Sequence, residues 1–532
     1  MEFDYVIVGA GSAGCALAGR LSEDPSVTVC LLEAGGRDTS PWIHIPVGYF
    51  KTMDNPKTDW RFRTESDEGL NGRSIPWPRG RVLGGSSSIN GLLYVRGQAE
   101  DFDGWRQMGC TGWGWDDVQP VFKRAENWEG GGDEHRGTGG PLNVSPTRLS
   151  REIVDAWVDA AENAGYRRNP DYNGADQEGV GYFQLTSKDG RRCSSAVAYL
   201  RPAKNRPNLR VITGAQTEKL DIAEGRCTGV RARTNNVSVH YKARREVILC
   251  AGAIGSPHIL MHSGIGDPAE LAAQGIETVV NLPGVGRNLQ DHLQARPVYK
   301  CRSSTINTET GSLFRQAMIA LQYAYNRTGP MTMAASLGTG FLKTRPELAT
   351  PDIQFHIQPF SADKPADGPH KFDAFTASVL QMRPESTGHL ALVSPDPLTP
   401  PAIHPNYLAT KTDCDTIVEG IRIARRIAQT DPLKSLVTAE HAPGANVDSD
   451  DYDAILNWAR DTAVTIYHPT GTCKMGVDEA AVVDPRLRVK GIEGLRVADA
   501  SIMPIITSGN TNAPCIMIGE KASDLIKEDA AA

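Results

Sequence analysis

Gly9, Gly11 and Gly14 follow an apolar run, Tyr5 to Val8, in Gly-x-Gly-x-x-Gly spacing, and Glu33 closes a second run, Val27 to Leu32. Residues of these types in this order can hold a dinucleotide. Gly9 permits a tight turn, Gly11 lets the backbone approach a pyrophosphate, and Gly14 lets helix and strand pack closely. The Glu33 carboxylate is placed to accept hydrogen bonds from adenosine ribose hydroxyls. Near the other end, His468 stands in VTIYHPTGTCKMG (464–476), where Pro469 biases it toward an extended conformation. An imidazole titrates near working pH and suits proton transfer. Taken alone, His468 would sooner be read as a satisfied core histidine.

The elements that would position these residues are legible around them. Val6 to Val8 has the β-branched character of a buried parallel strand. Ala16, Leu17, Ala18 and Leu21 recur at helical spacing, so a helix N-terminus would offer free N–H groups to phosphates. Strand, loop, helix, strand and acid all occur within about thirty residues, as the motif demands. This unit alone does not separate NAD from FAD; its place at the start of the chain and the run of Glu33 into Ala34-Gly35-Gly36 favour FAD. Residues 79–97, RGRVLGGSSSINGLLYVRG, are too rich in small residues for a regular strand and let backbone lie close to a flat ligand. Residues 247–266, VILCAGAIGSPHILMHSGIG, read as a strand turning into a helix, which is where open α/β sheets bind ligands.

With these segments the sequence resembles the glucose–methanol–choline (GMC) oxidoreductase family over nearly its whole length. The first signature matches from Arg81 through Gly84, Gly85, Ser86, Asn90 and Arg96, and the second from Gly252 to Gly266. GVGRNLQDH (284–292), HPTGTCKMG and NTNAP also match. The resemblance implies FAD and a doubly wound α/β FAD-binding domain. With it would interleave an α+β substrate domain built on an antiparallel sheet. It implies hydride transfer from an alcohol carbon to flavin N5. Cofactor contacts are implied at Ser12 and Ala13, at Ala34, at Gly91 and Leu92, and at Thr217. Ala251 with Gly252, Asp499 with Ala500, and Thr511 with Asn512 complete the set. Where some members attach flavin covalently through a histidine, this chain has Ile89, so non-covalent FAD is expected.

The resemblance makes His468 the first catalytic residue and places the second on Asn510, with a cofactor contact there too. Asn510 can donate to a substrate oxygen but cannot act as a base, which leaves the proton to His468. The alternative is that Asn510 satisfies a turn and Asn512 reaches the substrate. Pro514 is expected to open a helix aimed at the flavin C2 carbonyl. Ile466 and Tyr467 flank the base as substrate-side residues. His356, on an alternating pattern, either lines the pocket or serves the sheet.

The remaining composition bounds the reading. The net charge of −7 argues against nucleic acid, which needs a basic face. Neither a membrane-spanning apolar run nor a signal-like start is present, which points to a cytoplasmic protein with peripheral membrane contact left open. The ten cysteines form no CxxC pair, with Cys15, Cys30 and Cys250 read as core residues; the twelve histidines form no close His/Asp cluster, so no metal is expected. Segments 1–150, 200–296 and 462–532 are assigned to the FAD domain, and 151–199 with 297–461 to the substrate domain. Residues 129–140 read as a glycine-rich loop, and Pro359 to Pro369 as a loop that gates the pocket. Apolar residues through 300–460, without an acidic cluster, suggest a neutral, partly apolar primary alcohol as the small-molecule substrate. Electrons would pass to a quinone or similar acceptor, or to oxygen. A hydroxynitrile lyase-like enzyme and a non-catalytic flavin binder are the other classes.

Overall fold

Strand Glu2–Val8 runs parallel to Val29–Glu33 on one side and to Val237–Leu249 on the other. The computed structural model describes residues 1–363 and 368–531. Val6, Ile7 and Leu31 are wholly buried, as expected for strands covered on both faces. Leu209–Thr213 extends this parallel sheet past Val29–Glu33, and Leu495–Val497 pairs with Val237–Leu249. An antiparallel pair, Ala215–Ala223 and Arg226–Thr234, completes seven strands. Helix Ser12–Leu21 packs against the last helix, Asn512–Ala531, where Ser12 Oγ donates to Asn512 Oδ1 at 2.8 Å. The doubly wound sheet thus needs both ends of the chain.

A second, eight-stranded sheet is antiparallel, with Gly338–Leu342, Ile353–Gln358 and Ala374–Gln381 at its centre and Gly179–Tyr182 at one edge. Two short strands, Leu293–Ala295 and Val464–Thr465, pair with each other in this sheet, although both lie in sequence segments assigned above to the FAD side. They carry the chain from one sheet to the other beside the candidate site. Residues 129–140 form no helix or strand. The loop expected to gate the pocket falls in part, at 364–367, outside the described residues.

All ten cysteines are free, and Cys15, Cys30 and Cys250 lie in the core as expected. One reading needs correction. The histidines are scattered in sequence, yet folding gathers Asp363, His370 and His441 so that one ligand atom of each lies within 4.8 Å of the others. Residues far apart in the chain meet here because strand Val437–Ala442 closes the sheet edge beside the 360s loop.

Candidate active site

The backbone around His468 is held in place by Asp291. That buried carboxylate accepts from the His468 N–H at 2.7 Å, from Thr465 Oγ1 at 2.5 Å and from the Tyr407 hydroxyl at 2.5 Å. Between Thr465 and His468, Tyr467 takes φ 72°, a conformation costly for an aromatic residue and concentrated at functional sites. Its carbonyl is pinned by Arg79 Nη2 at 2.6 Å. His468 is thereby presented from a constrained turn rather than from a regular strand.

The imidazole ring has its protons assigned by its neighbours. His292 Nε2 lies 2.8 Å from the Met382 carbonyl, which can only accept, so this nitrogen carries the hydrogen. Burial pushes His292 down to about 4, which keeps the ring neutral and leaves Nδ1 as an acceptor. His468 Nδ1, 3.0 Å away, must then donate to it. Burial, followed by the neighbouring His292, His356 and Arg79, holds His468 well below the usual imidazole range, so its Nε2 carries a free lone pair. Facing that lone pair is Asn510 Nδ2 at 3.1 Å, while Asn510 Oδ1 accepts from Gln354 Nε2 at 3.3 Å. An acceptor nitrogen and an amide donor therefore converge, which is what binding and deprotonating a hydroxyl requires.

His356 and Gln354 point the same way from strand Ile353–Gln358. His356 Nδ1 contacts Ser336 Oγ at 3.3 Å, but His356 Nε2 and Gln354 Oε1 are buried without a protein partner. Unpartnered buried polar atoms beside an acid–base pair suit a bound ligand. Ile466 packs with Leu92, Phe341 and Leu380, giving the site an apolar wall.

The residues present fit a flavin dinucleotide. Gly9 has φ +101°, and a Cβ on Gly14 would lie 1.9 Å from the Gly9 carbonyl oxygen, so the turn and the close packing both require glycine. A Cβ on Gly11 would meet only the Cys250 carbonyl oxygen, at 3.9 Å, an ordinary contact distance. Ala13 packs along the last helix beside Gly519. Glu33 accepts from the Ala10 and Gly35 amides at 3.0 and 2.8 Å, and burial raises it to about 7. Ala34 is half-buried beside it, and Gly35 abuts the Arg81 carbonyl. Arg81 stacks over Trp60 and leaves a buried Nε unpartnered, as does Thr217 at Oγ1; both are donors awaiting a polar ligand.

The second glycine-rich loop touches the first. Gly84 N–H donates to the Ala10 carbonyl at 2.8 Å, and Gly85 lies against Gly11. Ser86 Oγ accepts from the Gly80 amide, Gly91 rests on Ala335, and Leu92, at φ 64°, is fixed through its carbonyl by Thr186. Asp499 accepts from Gly252 N–H and Ser256 Oγ with one oxygen and from the Ser501 N–H and hydroxyl with the other. Its carboxylate is thus engaged within the protein, tying Ala251 and the helix Gly252–His262 to Ala500. Thr511 and Asn512 open the last helix, with Pro514 inside its first turn.

Three contributors escaped sequence reasoning. His292 and Asp291 stood in a matched segment with no role assigned. Arg192, fully buried, donates to Asn90 Oδ1 at 2.5 Å and to the Asn90 carbonyl at 2.6 Å, fixing the loop from beneath. The apolar content of 300–460 also proves a poor guide, because much of it sits in the sheet core and some, including Phe314 and Leu321, is exposed.

Profiles described as GMC oxidoreductase match residues 3–294 and 384–519, more than half of the chain. The chain belongs to the GMC oxidoreductase family. Among GMC relatives it is 43% identical to an alcohol dehydrogenase [acceptor] of Pseudomonas putida, covering 98% of this chain and 95% of the relative. It is 42% identical to the mitochondrial choline dehydrogenase of Homo sapiens, with 99% and 90% covered. Among solved structures, pyridoxine 4-oxidase from Mesorbium loti superposes with a TM-score of 0.89 at 32% identity over 99% of both chains. A variant formate oxidase of Aspergillus oryzae RIB40 gives 0.92 at 30% identity, covering 100% of this chain and 99% of that one. This GMC enzyme is an FAD-dependent alcohol dehydrogenase.

Proposed function

We propose that the protein oxidises a neutral primary alcohol to an aldehyde with His468 as base, Asn510 as its oxygen ligand and FAD held without a covalent bond. The observation that carries this is the 3.1 Å approach of Asn510 Nδ2 to a His468 Nε2 whose lone pair is fixed by His292. A hydroxyl lying against both atoms gives its hydrogen to Nε2 and accepts from Nδ2. Once there, the proton rests on a ring whose opposite N–H is held by His292. Ile466 and its apolar neighbours keep water from the reacting atoms, and Gln354 keeps the Asn510 amide turned the right way. FAD, when bound, supplies the hydride acceptor. Gly9 to Gly14, Glu33, Arg81, Thr217 and the Gly84–Leu92 loop are the residues to hold it, with Ile89 offering no nucleophile for attachment.

A neutral substrate is favoured by the charges beside His468: the Asp291 carboxylate is taken up by the His468 N–H, Thr465 and Tyr407, and Arg79 adds a cation. A cationic alcohol would meet Arg79 and no carboxylate free to pair with it. We assign the electrons to a quinone-type acceptor, in line with the acceptor-linked relative, and the protein to the cytoplasm, where ten free thiols are stable. The described helices include none long and apolar enough to cross a membrane.

Anaerobic mixing with aliphatic and aryl primary alcohols, and with choline, tests the reading. Neutral alcohols should bleach the flavin fastest, and a quinone should reoxidise it faster than air. Choline reducing it as quickly would overturn the charge argument. Cyanide release without bleaching would make the enzyme a lyase, and faster reoxidation by air an oxidase. FAD remaining with acid-precipitated protein would overturn non-covalent binding.

A further inference from the structure

Helix Leu313–Asn326 lies on the protein with its apolar side turned outward, and none of its residues is buried. Leu313, Phe314, Leu321 and Tyr325 are 83%, 76%, 63% and 93% exposed. At 100° per residue these side chains, with Met318 and Ala317, fall on one continuous face. Ile319 and Tyr323, on the opposite face, are the half-buried residues, and the Tyr323 hydroxyl anchors the helix to the Gly190 carbonyl at 2.9 Å. An amphipathic helix normally buries its apolar stripe; here the stripe is offered to something else.

The charges around the stripe say what. The helix contains no acidic residue, and Arg315 and Arg327 stand exposed within and just beyond it, with exposed Arg191 beside Tyr323. Among the described residues these three arginines make no ion pair, whereas the nearby Glu309 is taken up by Arg151 at 2.6 Å. This basic rim is local on a chain of net charge −7, and Asp189, close to Arg191 in the chain, lies 3.8 Å from Arg148. Exposed Trp42 and Phe50 extend the surface, on short helices flanking Pro46–Gly48, which packs on the Pro330–Thr332 turn that follows the helix. Aromatic and aliphatic side chains with a rim of arginines match an interfacial helix on an anionic bilayer. A second copy meeting this face about a two-fold axis would bring the same arginines together.

We propose that this face docks the enzyme on an anionic lipid surface, with the helix lying in the plane of the headgroups. The docking is independent of which alcohol is oxidised. It also lies close to the site in the chain: Ala335, soon after the helix, rests against Gly91 of the cofactor loop, its N–H donating to the Gly91 carbonyl at 3.1 Å.

Flotation of the holoenzyme with vesicles of phosphatidylcholine, with and without phosphatidylglycerol, tests the proposal. Wild type should float with the anionic vesicles and be released by salt. The double variant Phe314→Glu with Leu321→Glu should lower the bound fraction roughly ten-fold or more, and Arg315→Glu with Arg327→Glu should abolish the preference for phosphatidylglycerol. Both variants should keep wild-type flavin absorbance and turnover with a soluble dye, which shows that they fold. The proposal is overturned if wild type does not float with anionic vesicles, or if Phe314→Glu with Leu321→Glu floats equally well. It is also overturned if that variant instead dissolves a dimer, seen by light scattering, in an enzyme that ignores lipid.

Discussion

His292 Nδ1 sits 3.0 Å from His468 Nδ1, and the two rings meet nearly perpendicular, at 86°. The Met382 carbonyl dictates the proton on the far side of His292, so a backbone oxygen two residues of contact away determines which nitrogen of His468 is basic. His292→Ala frees His468 to place its proton on either nitrogen. Flavin reduction should slow roughly ten- to a hundred-fold, the usual penalty for losing a group that orients another, with KM for the alcohol little changed. His292→Asn keeps an acceptor oxygen and should recover part of the rate. Equal rates in wild type and His292→Ala would show that His468 needs no such partner.

The base itself gives a larger effect. His468→Ala should reduce the rate of flavin reduction by about 10² to 10⁴, and Asn510→Ala by roughly a hundred-fold, both read in stopped flow. Because burial and the neighbouring rings and Arg79 hold His468 well below the ordinary imidazole range, its lone pair stays free on acidification. The reduction rate of wild type should therefore stay level as pH falls through the usual histidine value of about 6.5. A midpoint near that value would contradict the buried, neutral ring.

Acid stability follows from His356. Burial drives it down to about 3, so the folded protein refuses a proton that the unfolded chain takes up near pH 6.5. The stability this group contributes is present above that pH and is lost as the medium is acidified toward pH 3. Each pH unit in this window costs about 1.4 kcal/mol. His356→Gln escapes the penalty. Its stability relative to wild type, from urea unfolding, should improve by about 2 kcal/mol between pH 7 and pH 5; an unchanged difference would mean that His356 titrates normally.

Glu126 bridges two fully buried arginines, with Arg96 Nη2 on one oxygen and Arg136 Nη2 on the other, each at 2.5 Å. Glu126→Ala leaves the Arg96 guanidinium in the interior without a carboxylate, while Arg136 keeps only Asp171, at 2.7 Å. Denaturant unfolding should show a loss of about 3–5 kcal/mol, as when one partner of a buried ion pair is removed. A loss under about 1 kcal/mol would indicate that water reaches the arginines.

Much of this molecule can be read from short-range pattern. The strand, glycine turn, helix and acid from Tyr5 to Glu33 are local, and each glycine there answers a local demand such as the φ +101° of Gly9. The motif around His468 is likewise contiguous. What escaped is whatever depends on contacts between distant segments. Arg192 reaches Asn90 across 102 positions, and His292 reaches His468 across 176. Nothing in either residue's own neighbourhood signals such a partner. The helix Leu313–Asn326 failed to register for another reason: apolar residues are assumed to face inward, and only the fold reveals that these face out.

Arg20, in the first helix, donates to Glu520 in the last, and Ser12 to Asn512, each pair 500 residues apart. The ribosome must therefore release nearly the entire polypeptide before the nucleotide cradle acquires its second wall. A nascent chain can complete its first strands early, yet the cradle stays one-sided until the helix Asn512–Ala531 has emerged. The cradle is in this sense finished late, and a chain cut short before Asn512 would lack the wall that Ser12 and Arg20 lean on.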